Sequence, residues 1–157
     1  MNQPAHRSPS VPVRVRRLPH AEGLELPAYE TPGAAGLDVR AALEAPLELA
    51  PGGRVRVPTG LVVEVPPGYE LQLRPRSGLA ARAGVTLPNA PATIDSDYRG
   101  EIFVALVHLG EEPVRIERGM RIAQLVLAEV PRLEWREAGT LTSTARGEGG
   151  FGHTGLD

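Results

Sequence analysis

The chain has 157 residues, enough for one domain with a real core, and its 41% hydrophobic and 23% charged residues are ordinary for a globular protein. A net charge of −2 gives no electrostatic case for a nucleic-acid or membrane-surface partner, and the absence of lysine among 17 basic residues excludes Schiff-base and P-loop lysine chemistry. Zero cysteines exclude disulfides, thiol nucleophiles and cysteine zinc sites, while the four histidines (His6, His20, His108, His153) lack metal-ligand spacing.

Residues 1–12, rich in Pro, Ser and Asn, read as a disordered tail. Val13-Arg14-Val15-Arg16 alternates apolar and charged, the pattern of a half-buried strand. Leu47-Glu48-Leu49 leads to the turn Ala50-Pro51-Gly52-Gly53. Two strands are then expected, Arg54 to Val57 and Leu61 to Val65, followed by Tyr69 to Arg74 with period-two alternation. A short helix is expected over Gly78 to Arg82, with Ser77 before it as an N-cap. Glu101 to Leu109 is the most apolar strand, expected to be central, and Val114 to Ile116 and Arg121 to Val130 complete the set. Many short strands separated by Gly/Pro turns indicate an all-β sandwich, jelly roll or barrel. From residue 138 to 157 the chain becomes a small, glycine-rich arm that cannot form a core of its own. No apolar run approaches the ~20 residues of a membrane span, and no signal peptide opens the chain, so a cytoplasmic protein is expected.

Five stretches carry candidate chemistry. Ile94-Asp95-Ser96-Asp97-Tyr98-Arg99-Gly100 sets two carboxylates two residues apart; on a regular strand they share a face and suit a general base, whereas on a turn they are a polar hairpin tip. Ala35-Gly36-Leu37-Asp38 places a carboxylate on a strand after a glycine. Arg74-Pro75-Arg76-Ser77-Gly78 joins arginines and a hydroxyl to a helix start, which reads equally as a phosphate site or as a capped helix. Gln124 lies three residues beyond Arg121, where an edge strand with outward polar groups is the simpler reading. Arg146 to Gly155 holds glycines around an arginine, a phenylalanine, His153 and Thr154, the residue types of a lid over a nucleotide.

Taken in order, Ala35–Asp38, Pro75–Gly78, Ile94–Gly100, Arg121–Gln124 and Arg146–Gly152 resemble the five motifs of the trimeric dUTPases over roughly residues 13 to 157. The resemblance implies a jelly-roll homotrimer that hydrolyses dUTP to dUMP and pyrophosphate with Mg²⁺, keeping uracil out of DNA and supplying dUMP for thymidylate synthesis. It implies a 13–137 β domain and a 138–157 arm that closes over a neighbouring subunit's site. Asp95 matches the acid that deprotonates the attacking water, and Tyr98 the ring beneath the deoxyribose. Asn89 matches the uracil reader; Arg76, Ser77, Gly78 and Gln124 match phosphate contacts. Asp38 matches a carboxylate near the metal-bound waters. Arg146 matches the γ-phosphate arginine, Phe151 the ring stacked on uracil beside Gly152, and His153 and Thr154 tail groups on the phosphates. The chain departs from the pattern at Ala92, where the family usually has glycine, and at Pro91, so a differently shaped base-reading hairpin is expected.

Two rivals differ in chemistry. The dCTP deaminases resemble this fold but carry a proton-shuttling glutamate where Ala105 aligns. A non-catalytic nucleotide-binding sandwich would keep the pockets without turnover.

Overall fold

The computed structural model describes residues 10–150. Within them lie strands β1 (Arg14–Arg17), β2 (Leu37–Arg40), β3 (Leu47–Leu49), β4 (Arg54–Glu64), β5 (Tyr69–Arg74), β6 (Val85–Thr86), β7 (Ala92–Ile94), β8 (Glu101–His108), β9 (Val114–Ile116) and β10 (Arg121–Glu129). One antiparallel sheet runs β1-β4-β8-β6 and a second β2-β10-β5-β7, with β3 and β9 forming a small third sheet. This is the all-β, jelly-roll-like sandwich expected. Val57 and Val104 face each other across β4 and β8, and Leu73 and Leu125 across β5 and β10, so the inward residues of both sheets meet in one core. Each fully buried Val, Leu or Ile there contributes about 1.5–3 kcal/mol of transfer free energy. No described helix is long and apolar enough to cross a membrane.

Four expectations need correction. The two strands expected over residues 54–57 and 61–65 are one strand, β4, kinked by a register shift between Pro58 and Val62. Gly60 sits in that kink at φ +64°, and a Cβ there would collide with that of Ala21. The turn-like glycine is therefore a bulge within a strand rather than a break between two. β1, an edge strand paired only with β4, is exposed along its whole length rather than half-buried, Val15 included. Alternation marked its faces but could not say whether anything covers them. Ser77 is the first residue of the helix α1 (Ser77–Ala83), not its cap; Arg76 holds the cap position without a side-chain cap bond. Finally, β10 is central, between β2 and β5, so Gln124 is not on an edge. β8 is central in its sheet, as expected from its apolar run.

Candidate active site

Two clusters of polar side chains stand out, one on the second sheet and one between the two sheets. The first surrounds Asp38, whose side chain is only 6% exposed. Asp38 on β2 lies in register with Gln124 on β10, which in turn faces Arg74 on β5. Arg76, just beyond β5, grips Asp38 with Nε on Oδ1 at 3.0 Å and Nη2 on Oδ2 at 3.2 Å. Arg121 Nη1 donates to Oδ2 at 3.0 Å, and Gln124 Nε2 to Oδ1 at 3.2 Å. A buried carboxylate needs such donors, and here four of them fill its lone-pair positions. Arg121 also lies 3.4 Å from Glu30.

Residues three apart on a regular strand point to opposite faces. Arg121 and Gln124 nonetheless reach the same carboxylate, because β10 shifts register between Arg121 and Ala123. The shift leaves Ile122 and Ala123, consecutive residues, both fully buried. Gly36 makes room for this arrangement: a Cβ there would stand 3.3 Å from Gln124 Cβ. Arg121 is thus a site residue that motif reading touched but did not select. Its signal was the pair of apolar residues between two polar ones, which regular alternation does not produce.

The second cluster lines a cleft of about 230 Å³ between the β6–β7 connection and the start of β8, with Asn89, Asp95, Tyr98, Arg56 and Phe103 among its walls. β7 pairs with β5 only as far as Ile94, which lies opposite Leu71. The chain then turns, with Tyr98 N–H donating to the Asp95 carbonyl at 3.2 Å. Asp95 and Asp97 therefore leave strand geometry: both line one cleft with Tyr69, Glu70 and Arg132, and only Asp95 also borders the cleft of Asn89 and Tyr98. The tight turn, which frees the backbone from strand geometry, is the reason. Among the described residues the Asp95 carboxylate makes no hydrogen bond. Tyr98 folds back so that its hydroxyl donates to the Glu101 carbonyl at 2.8 Å, and a Cβ on Gly100 would collide with its ring. Ala92 opens β7 opposite Leu73, and the chain turns earlier, where Ala90 N–H donates to the Leu87 carbonyl; β6 and β7 pair with β8 and β5 and not with each other, so the expected hairpin is a connection between the two sheets. The Ala90–Pro91 peptide bond in that connection is cis. Arg56 packs over Phe103 with its guanidinium 5.0 Å from the ring centroid, a contact the motifs did not reveal.

The two clusters are not one pocket within a single chain. None of Asp38, Arg76, Ser77, Gly78, Gln124 or Arg146 lines the Asp95 cleft. β2 and β7 are the outer strands of a four-stranded sheet, roughly 14 Å apart across the ladder. Asp95 is also displaced along the strands by roughly four residues, or about 13 Å, from the level of Asp38. Arg146 is remote from both, its Nε donating to the Gly149 carbonyl at 2.7 Å within a local turn. Phe151, Gly152, His153 and Thr154 lie outside the described residues.

Residues 22–155 match the family profile described as dUTPase. The chain belongs to the dUTPase family. It is similar to the deoxyuridine 5'-triphosphate nucleotidohydrolase of Rhizobium meliloti (strain 1021), at 59% identity over 99% of each chain. The fold of this dUTPase is also that of a mutant dUTPase of Staphylococcus bacteriophage 80alpha solved with dUpNHpp, at a TM-score of 0.81 and 23% identity, covering 94% of this chain and 100% of that one. A mutant dUTPase of phage phi11 of S. aureus, solved to describe the coordination of a structural Mg(II) ion, matches at a TM-score of 0.74 and 20% identity, covering 85% of this chain and all of that one.

The dUTPase donor set has a definite bias. Among the described residues no group of three or more His, Asp or Glu could hold a metal ion. Asp38 is saturated by arginine and glutamine donors. Such a cluster suits an anion better than a resident cation.

Proposed function

We propose that this dUTPase hydrolyses dUTP to dUMP and pyrophosphate through a water that Asp95 orients and deprotonates. The water oxygen forms a bond to the α-phosphorus as the bond to the bridging α–β oxygen breaks, and the water's proton passes to the Asp95 carboxylate. One observation supports this reading: in a chain of this family, the Asp95 carboxylate is free of hydrogen bonds to the described residues, and Asp95 borders the same cleft as Asn89 and Tyr98.

The remaining roles are those that membership of the family implies. Asn89, in the β6–β7 connection, reads the uracil edge together with nearby backbone groups. Tyr98 lies beneath the deoxyribose, where its ring leaves no room for a 2'-hydroxyl. Arg76 uses three of its five N–H donors on Asp38 and the Arg121 carbonyl, so two remain for phosphate oxygens. Ser77, the Gly78 N–H and Gln124 add neutral donors beside it. Arg146 takes the γ-phosphate, and Phe151 stacks on the base beside Gly152, with His153 and Thr154 on the phosphates.

Mg²⁺ would come with the substrate and supply charge neutralisation on its phosphates. Asp38 is the carboxylate that would lie nearest its bound waters. The separation of the two clusters supports a site built between chains: one subunit supplies Asp95, Asn89 and Tyr98, another Asp38, Arg76 and Gln124. A third contributes the arm from residue 138 onward. A homotrimer is the smallest assembly that meets this requirement.

The test is pyrophosphate release from dUTP, dTTP, dCTP and UTP with Mg²⁺. Release from dUTP alone, or far faster than from the others, is expected. Ammonia from dCTP would point to the deaminase instead, although Ala105 on β8 has no group to carry its proton, and binding without turnover would point to a nucleotide-binding module.

A further inference from the structure

We infer that His20, acting through Glu101, positions Tyr98 and thereby sets how strictly the sugar pocket rejects a 2'-hydroxyl. This rests on the role proposed above for Tyr98. The Tyr98 ring is fixed at one end by its hydroxyl on the Glu101 carbonyl at 2.8 Å, and it packs over Gly100. Its placement is therefore only as firm as the Glu101 backbone.

Glu101 is the first residue of β8, facing Val62 just past the β4 bulge, where the ladder is interrupted. Its side chain repairs that gap. Oε1 accepts the Gly60 N–H at 2.7 Å and His20 Nε2–H at 2.8 Å, and the Glu101 side chain is only 14% exposed. His20 comes from the single-turn 3-10 segment Pro19–Ala21, far away in sequence. That segment is bound to the same bulge: Leu18 N–H donates to the Gly60 carbonyl at 2.8 Å, and Ala21 fills the space that a side chain at residue 60 would need. Arg118 secures it from outside, with Nη1 on the His20 carbonyl and Nη2 on the Glu22 carbonyl, each at 2.7 Å.

The line of contacts thus runs from His20 to the Glu101 carboxylate, through one residue's backbone, to the Tyr98 hydroxyl. Without the imidazole, the carboxylate keeps only the Gly60 N–H, a single neutral donor for a mostly buried charge. It gains by swinging toward water, and the cleft that Glu101 and Tyr98 share is adjacent. Such a swing loosens the carbonyl that holds the tyrosine. His20 touches no substrate in this account; it is a positioning residue.

The experiment compares kcat and KM for dUTP and UTP in the full-length protein and in His20→Ala and His20→Gln. His20→Ala is expected to lower the dUTP:UTP ratio of kcat/KM by roughly 3- to 10-fold, mainly through a gain in kcat/KM for UTP. His20→Gln, whose amide N–H reaches the place of Nε2, is expected to restore the ratio. Should His20→Ala not fold, His20→Asn, whose amide falls short of Glu101, carries the same expectation. Equal loss toward both nucleotides, or a glutamine variant no better than alanine, overturns the inference and leaves a purely structural histidine. A wild-type enzyme that hydrolyses UTP as well as dUTP overturns the reading of Tyr98 and this inference with it. A selective wild type with an unchanged alanine variant overturns this inference alone.

Discussion

Asp95, in the turn after β7, borders a cleft and its carboxylate has no protein donor among the described residues, while at Asp38 on β2 four donors converge on one carboxylate. On the proposed reading, the first is available to bind water and the second is already engaged. Asp95→Asn keeps the shape and the ability to orient a water but cannot accept its proton. We expect dUTP binding to persist while kcat falls by roughly 10²- to 10⁴-fold, measured by single-turnover pyrophosphate release and by titration with a non-hydrolysable analogue. Near-normal turnover would remove Asp95 from the reaction. At this scale the motifs named the candidate residues. They could not show which of Asp95 and Asp97 borders the cleft of Asn89 and Tyr98, because the answer lies in a turn that breaks the two-residue period.

Among the elements, the two bulges matter more than the regular strands. The one in β10 brings Arg121 and Gln124 onto the same carboxylate; the one in β4 frees the Gly60 N–H for Glu101 and lets the Pro19–Ala21 turn dock. The β10 shift adds one residue to its ladder and the β4 shift two, so counting alternation along one segment cannot reveal either. The same limitation split β4 in two at the sequence level. Gly60→Ala tests this element directly. A non-glycine residue in the left-handed region costs about 1–2 kcal/mol, and crowding Ala21 adds a further ~1–3 kcal/mol. Urea denaturation should therefore show a loss of roughly 2 kcal/mol or more, and a change near zero would mean that the turn relaxes away from the bulge.

Across the whole molecule, the described chain leaves the sheets after Glu129, and residues 131–148 are exposed, Trp135 at 88% and Leu133 at 69% among them. The arm thus adds nothing to the core of its own chain. Truncation before Arg146 should leave a folded oligomer of unchanged thermal midpoint that has lost nearly all dUTP turnover; unfolding on truncation, seen by circular dichroism and sedimentation, would make the arm structural. The residues alone determined that the chain is all-β, because its Gly/Pro turns space short alternating runs. They also determined the chemistry on offer, because Asp95, Arg76 and Gln124 carry their functional groups wherever they lie. Only the tertiary structure decided which of these groups meet. Proximity across a sheet depends on strand order, register and bulges, and these arise from pairings between residues as far apart as Asp38 and Gln124.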